Sequence, residues 1–384
     1  MRLGVDCSNL RMGGGLTHLT ELFKAADFKS CGFSNVKLWA GSDTLSKISP
    51  KEGLTLCHEP MLDKPLPYRL YWQSRVLPQL AEQSADILFV PGGNFNGNFK
   101  PFVTMARNLL PFETKELLRY GPSLMTLRLM LLRKAQISTF RKADGLIFLT
   151  EYTKDTVFKL SGNLPCKTVV IPHGVSPAFK NKPDYEKITT AQSPFKWLYV
   201  SIVDVYKHQD NVVKAVSQLR AAGYPATLSL AGPYYKPALK KLLKEIDSSD
   251  PLHEFVNYKK SIPYEELSLV YREADGFVFA SSCETISNIL LEAMSAGLPI
   301  ACSDMSSMKE TLKDGGIYFN PEDTATITAA MKTLMDNPEL RYKNALRSYE
   351  LSERYSWQRT AYETFMFLSD ICMKKDTGRV RRRW

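Results

Sequence analysis

Residues 276–303 read GFVFASSCETISNILLEAMSAGLPIACS, and the order of residue types in this stretch decides the architecture. Phe277 to Ala280 is a short unbroken apolar run, the pattern of a buried parallel strand. Ser281 to Ile286 reads as a loop, and Ser287 is placed as the N-cap of a helix over Asn288 to Ala296. Gly297 fits the position just past that helix, and Leu298 to Cys302 starts the next strand. Open α/β sheets built from such units bind ligands beyond the carboxyl ends of their strands, which is where Glu284 stands. Glu292, eight positions further on, lies in a helix that is apolar nearly all round. Such a helix is buried, so this carboxylate needs a partner. Two acceptors aimed at one crevice suit the hydroxyls of a sugar or ribose. The same residues also read as a surface Glu followed by a Glu paired to a neighbouring Arg or Lys.

The alternation extends along the chain. Strand candidates are Leu3–Cys7, Val36–Ala40, Ile87–Val90, Val103–Ala106, Gly145–Leu149 and Thr168–Ile171. A second set follows at Trp197–Val200, Thr227–Ala231, Phe255–Tyr258, Gly276–Ala280 and Pro299–Cys302. Helical stretches such as Leu16 to Ala26 and Tyr152 to Leu160 lie between strands. Two blocks of this kind predict two parallel-sheet α/β domains joined by the polar, proline-containing stretch Ser176 to Pro194. The division expected is 1–175, a linker at 176–194 and 195–356, with the active site in the cleft between the domains.

A chain of 384 residues with 44% hydrophobic and 23% charged residues is an ordinary globular composition. No apolar run approaches the ~20 residues that span a bilayer. The start of the chain reads as a first strand, not as a secretory signal. Seven scattered cysteines with no C-x-x-C pattern argue against structural zinc and for a reducing cytoplasm. A formal charge of +10 favours an anionic partner. The basic residues are dispersed except between Lys115 and Lys142 and in the tail 378–384, so nucleic acid is not expected.

E-x7-E after an apolar strand, with a helix ending A-G-L-P-I, resembles the donor-site signature of retaining GT-B glycosyltransferases of family 4, in the branch that builds bacterial O-antigen and exopolysaccharide chains. Glu266-Leu267 and Tyr271 to Asp275 resemble the run that precedes that signature. Leu198 to Ser201 followed by Tyr206 to Gln209 looks like its phosphate-binding strand and loop, and Ile171 to Val175 like the turn that closes its first domain. The match is strong from Trp197 to Asn337 and weak from Leu38 to Ala85. The resemblance implies a GT-B fold, two Rossmann-like domains facing each other across a cleft. It also implies a helix at about 357–384 that packs back on the first.

Gly13-Gly14-Gly15 between a strand and a helix lets backbone N–H groups approach a diphosphate, though three glycines also make a plain surface turn. With the resemblance, Gly14 and Gly15 are expected at the donor. Lys207, in a loop past a strand end, is the candidate to balance the leaving diphosphate. A solvated surface lysine is the alternative. The family has an Arg several residues upstream of this lysine, whereas this chain has Ser201 to Asp204. His208 or Arg107 is left to supply the second charge. Arg107 and Asn108 occupy the positions where many relatives have His and Asp. A guanidinium there holds a phosphate or a sugar hydroxyl, or makes an interdomain ion pair, and Asn108 can donate and accept hydrogen bonds. The loop Pro91 to Asn98, with Asn94, is a candidate acceptor loop or a mobile turn. His18, His58, His173, His208 and His253 show no metal-ligand spacing, and no D-x-D pair follows a strand.

The function implied is a metal-independent retaining glycosyltransferase without a cofactor. It would move a sugar from a nucleotide diphosphate-sugar to a glycan or polyprenol-linked oligosaccharide in surface polysaccharide synthesis. Glu284, Lys207 and Arg107 are the expected catalytic residues. Glu292, Gly14, Gly15, Thr285, Ile286 and Ser287 would bind the donor, and Asn94 and Asn108 the acceptor. The alternatives are another GT-B enzyme, such as an epimerase, or a silent glycan-binding subunit. The segment Lys115 to Lys142 carries seven basic residues against Glu116. With Leu124, Leu127, Met130 and Leu131 on one helical face, it is expected to lie on an anionic membrane at the cytoplasmic side. An ordinary helix with its apolar face in the core is the competing reading.

Overall fold

A computed structural model describes residues 1–11, 13–190 and 193–380, with side chains as far as 374. The chain divides into two compact units. Unit 1 comprises residues 1–112, 123–174 and the carboxyl-terminal stretch from 356, and unit 2 comprises 113–122 and 175–355.

Unit 1 is built on a seven-stranded sheet: β1 Arg2–Asp6, β2 Asn35–Ala40, β3 Leu54–His58, β4 Ile87–Val90, β5 Phe102–Ala106, β6 Gly145–Phe148 and β7 Lys167–Val170. The order is β3-β2-β1-β4-β5-β6-β7 and every pair is parallel. Unit 2 has a six-stranded sheet: β8 Phe195–Val200, β9 Ala226–Ala231, β10 Val256–Lys259, β11 Gly276–Phe279, β12 Ile300–Ser303 and β13 Ile317–Phe319. Its order is β10-β9-β8-β11-β12-β13, again all parallel. In each sheet the winding reverses once, between β1 and β4 and between β8 and β11. Those reversals open the crevices in which doubly wound sheets hold ligands.

The central strands β4 and β11 are buried along their whole length, which is why their apolar runs are unbroken. The two strands without a sequence signal, β3 and β13, are sheet edges. Edge strands are covered on fewer sides, and their residues are correspondingly mixed. The helix Trp357–Val380 belongs to unit 1. Its Phe365 ring meets Phe23 and Phe28 edge-on at 5.8 and 5.2 Å.

Two stretches differ from expectation. The 176–194 linker is folded into unit 2: the Asn181 N–H donates to the Ser295 carbonyl at 2.9 Å, and Arg341 donates to the carbonyls of Ile188 and Thr189. Buried Phe179 anchors it. The segment 115–142 is not one amphipathic helix, because Gly121, at φ +62°, and Pro122 break it into Thr114–Leu118 and Leu124–Lys142. The first piece lies in unit 2 and the second in unit 1. On the longer helix Thr126, Leu129, Gln136, Thr139 and Phe140 face inward, while Leu124, Leu127, Met130 and Leu131 stay exposed. The apolar stripe therefore does not pack in the core. The basic tail at 378–384 lies, in its side chains, outside the described residues.

Candidate active site

The β8/β11 crevice of unit 2 collects the residues that the signature singled out. Beyond β8 the chain turns through Ser201 to His208 and enters the helix Gln209–Ala221, with His208 in the left-handed region at φ 50°. Beyond β11 comes the loop to Ser287. The Lys207 ammonium and the Glu284 carboxylate meet there as a hydrogen-bonded ion pair, with side chains only 5% and 15% exposed. The ammonium also lies 5.0 and 5.2 Å from the ring centroids of Tyr206 and Phe279. A charge so far from water needs a partner, and here Glu284 is that partner. Lys207 is thus not a solvated surface residue.

Ser306, from the turn after β12, brackets the Glu284 peptide. Its hydroxyl accepts from the Glu284 N–H at 3.0 Å and lies 2.9 Å from the Glu284 carbonyl, to which it donates. Ser287 caps the helix Asn288–Ser295, accepting from the Leu290 N–H at 3.3 Å. Gly297 takes φ +67° just past it, where a Cβ would come 2.5 Å from the Asn181 carbonyl oxygen. Thr285 and Ile286 lie buried between cap and strand. Glu292 is 6% exposed and accepts from the Tyr271 hydroxyl at 3.1 Å. Burial pushes its pKa up to about 8, against the pull of that hydrogen bond. Tyr271 is the partner that the apolar helix required.

The residues that sequence reasoning missed come from the segment 113–122. Glu116, 3% exposed, accepts from the Ser282 hydroxyl at 2.6 Å and from Arg119 at 2.6 Å. The same Ser282 oxygen is 3.1 Å from His208 Nε2. Arg119 and Lys115 also pair with Glu322, and the Tyr120 hydroxyl donates to Asp204 at 2.8 Å. Ser282, held by Glu116, therefore ties the turn that carries Lys207 to the loop that carries Glu284. No local pattern announces this, because 166 positions separate Glu116 from Ser282. His208 does not supply the second cation. Burial, with the Arg119 charge nearby, pulls it down to about 4, so it is neutral near pH 7.

In unit 1 the helix Gly14–Ala25 starts directly after Gly13, at φ +65°. The Arg107 fork donates to the carbonyls of Gly14 and Gly15, at 2.9 and 3.3 Å, and so fixes the glycine turn. Burial lowers its pKa to about 10, which leaves it charged near pH 7. Beside it, His18 and His173 are hydrogen-bonded through Nδ1 atoms 2.8 Å apart, with Trp357 packed on both rings. Burial and the Arg107 charge hold both imidazoles well below their ordinary pKa. Asn108 is exposed, and its Oδ1 accepts from the Leu110 N–H at 3.2 Å. Asn94 presents a buried Oδ1 with no hydrogen-bond partner among the described residues.

Among the described residues no helix is long and apolar enough to cross a membrane.

Residues 181–350 match the model of the family described as glycosyl transferases group 1. The O-antigen chain mannosyltransferase B of Escherichia coli is 26% identical over 231 residues, covering 59% of this chain and 58% of that protein. The aligned region thus spans little more than half of the relative's length. Among solved structures, sucrose-phosphate synthase from Thermosynechococcus elongatus superposes with a TM-score of 0.73 at 15% identity, over 100% of this chain and 98% of that one. WaaG, a glycosyltransferase involved in lipopolysaccharide biosynthesis, gives a TM-score of 0.71 at 15% identity, over 95% and 99%. At such identities the structural likeness establishes the fold, which is GT-B.

Proposed function

We propose that this chain, a GT-B protein whose second unit carries the group 1 glycosyl transferase domain, is a retaining glycosyltransferase that moves a sugar from a nucleotide diphosphate-sugar to a lipid-linked glycan of a bacterial surface polysaccharide. The observation that carries this reading is the Lys207–Glu284 pair at the β8/β11 crevice. In the free protein each charge satisfies the other. A donor diphosphate carries more negative charge than one carboxylate and takes over the ammonium, which frees Glu284 to accept from hydroxyls of the sugar. Glu292, one helical turn deeper, accepts from the ribose hydroxyls.

The acceptor hydroxyl oxygen bonds to the anomeric carbon on the face from which the diphosphate departs. The bond from that carbon to the phosphate oxygen breaks with its electron pair on the diphosphate, and the acceptor proton passes to a departing phosphate oxygen. Lys207 balances the charge that develops there. Arg107 acts by holding Gly14 and Gly15, and Asn94 and Asn108 meet the acceptor. The O-antigen relative supports the polysaccharide assignment. The exposed stripe of Leu124, Leu127, Met130 and Leu131 beside Arg128 and Lys134 supports a protein lying on the cytoplasmic membrane face.

The test is a melting-point screen with GDP-, UDP-, dTDP- and CMP-sugars, since a ligand that binds only the native state raises the melting point. NMR then reads the anomeric configuration of the product. One nucleotide class is expected to stabilise the protein, and the product should keep the donor's configuration. Stabilisation by none of the four, or inversion at the anomeric carbon, overturns the reading.

A further inference from the structure

Among the described residues, four that are not glycine take a positive φ: His208, His253, Ser306 and Lys313. Lys313 follows the last residue of the helix Met308–Leu312. His253 lies in an exposed turn, its N–H donating to the Asp250 carbonyl at 2.9 Å. Both serve a local turn. The other two stand beside the buried ion pair of unit 2. His208 directly follows Lys207, and Ser306, at φ 56°, is bonded to the peptide of Glu284. A side chain makes this backbone region costly, whereas glycine enters it freely. The cost persists where surrounding contacts impose it.

What a serine hydroxyl adds over glycine at 306 is two hydrogen bonds, and both go to one residue. The Glu284 N–H donates to it at 3.0 Å, and it donates to the Glu284 carbonyl at 2.9 Å. One hydroxyl does both, having one proton and two lone pairs. The Glu284 peptide lies beyond the last ladder pair of β11 with β12, Phe279 with Cys302. Backbone groups there need other partners, and Ser306 takes the place of the neighbouring strand. The turn that carries it is mounted on the sheet. The Asp304 N–H donates to the Phe319 carbonyl at 2.9 Å, and the Met305 N–H to Ser303 Oγ at 3.2 Å.

We infer that Ser306 is a positioning residue that keeps the Glu284 carboxylate aimed at the donor sugar once the Lys207 ammonium has gone to the diphosphate. This deepens the glycosyltransferase reading and rests on it. In the free protein Glu284 is held twice, through its carboxylate by Lys207 and through its peptide by Ser306. Donor binding releases the first hold. A carboxylate left on a loose peptide would sample many directions, and bonds to the sugar would then carry the entropy of ordering it. With the peptide fixed, only the side-chain torsions remain to settle. The hydroxyl therefore matters most when the sugar is present, and least while Lys207 holds Glu284.

The test is calorimetric titration of the full chain with UDP-glucose, GDP-mannose and dTDP-glucose, each beside its free nucleoside diphosphate. Ser306→Gly and Ser306→Ala both remove the hydroxyl but differ in strain, since glycine accepts φ 56° and alanine does not. Both should weaken the nucleotide-sugar that wild type binds by about tenfold or more, because bonds to a carboxylate are lost. Both should leave its nucleoside diphosphate affinity unchanged, and Ser306→Ala should still melt below Ser306→Gly. In Glu284→Gln, adding Ser306→Gly should weaken nucleotide-sugar binding no further, because the residue acts through that carboxylate. A purely structural role predicts a binding loss that follows the melting temperature and strikes the free nucleoside diphosphate equally. That pattern, or wild-type nucleotide-sugar affinity in Ser306→Gly, overturns the inference alone. Wild type that binds none of the three pairs overturns the donor reading on which the inference rests.

Discussion

Lys207 and Glu284, 77 positions apart in the chain, close on each other as a buried ion pair where the second sheet reverses its winding. On the proposed function, the pair is a resting state in which a site for a diphosphate and a sugar holds its own charges in check. Removing one partner leaves the other buried and uncompensated, which costs about 3–5 kcal/mol at such sites. Lys207→Met and Glu284→Gln should each destabilise the fold, the double variant should be more stable than the sum of the two losses predicts, and all three should lose transfer. Urea denaturation and an activity assay check both halves, and additive losses would remove the pairing from the account.

Glu292 gives the protein a pH signature. Its folded pKa, pushed up to about 8, exceeds the ordinary 4.5, so the folded state holds the extra proton. The associated stability is full below about pH 4.5 and is lost as pH rises through about 8, on the order of 1.4 kcal/mol per pH unit within that window. Glu292→Gln should flatten this dependence and gain on wild type toward pH 9. It should also lose nucleotide affinity, by ~0.5–1.5 kcal/mol for a neutral hydrogen bond below about pH 8 and by more above it, where the carboxylate is charged. Melting curves from pH 5 to 9 read the first effect, and parallel curves would contradict it.

Glu116 should behave as a positioning residue. Its carboxylate meets Ser282 and Arg119, so on the proposed function it acts on the donor only through them. Glu116→Ala is expected to raise the KM for the nucleotide-sugar several-fold at a stability loss of about 1–3 kcal/mol. Glu116→Gln, which can still accept from Ser282, should recover most of the KM. A purely structural role would leave KM alone in both variants.

Transfer should persist in EDTA, because Lys207 and backbone N–H groups are assigned the diphosphate charge. Activity abolished by chelation and restored by added Mg²⁺ or Mn²⁺ would refute that assignment.

Vesicle sedimentation tests the outward stripe of the helix Leu124–Lys142. Binding should require anionic lipid and fall with salt. It should also drop about tenfold or more in Arg128→Ser/Lys134→Ser, at about 1 kcal/mol per well-placed basic residue. These two side chains are exposed, whereas Arg133 donates to the Pro111 carbonyl and is a poorer choice. Equal sedimentation with neutral and anionic vesicles ends the membrane assignment without touching the enzymatic one.

Much of this molecule follows from short-range chemistry that the sequence states outright. Ser287 caps its helix, Gly297 takes the left-handed turn, and the apolar runs of β4 and β11 become central parallel strands, because each outcome depends on neighbours within a few residues. Lys207 and Glu284 were legible for the same reason, since each stands just beyond a strand end. Only the tertiary structure brought them into contact. It also supplied Tyr271 for Glu292, set His18 against His173, turned Arg107 onto the glycine carbonyls and carried Glu116 into the second unit. Periodicity reports that a helical face is apolar but not what covers it, and for Leu124, Leu127, Met130 and Leu131 no described residue does. Pairings across scores of residues are decided by which buried charges and carbonyls remain unsatisfied once the sheets have formed, and that is a property of the packed molecule.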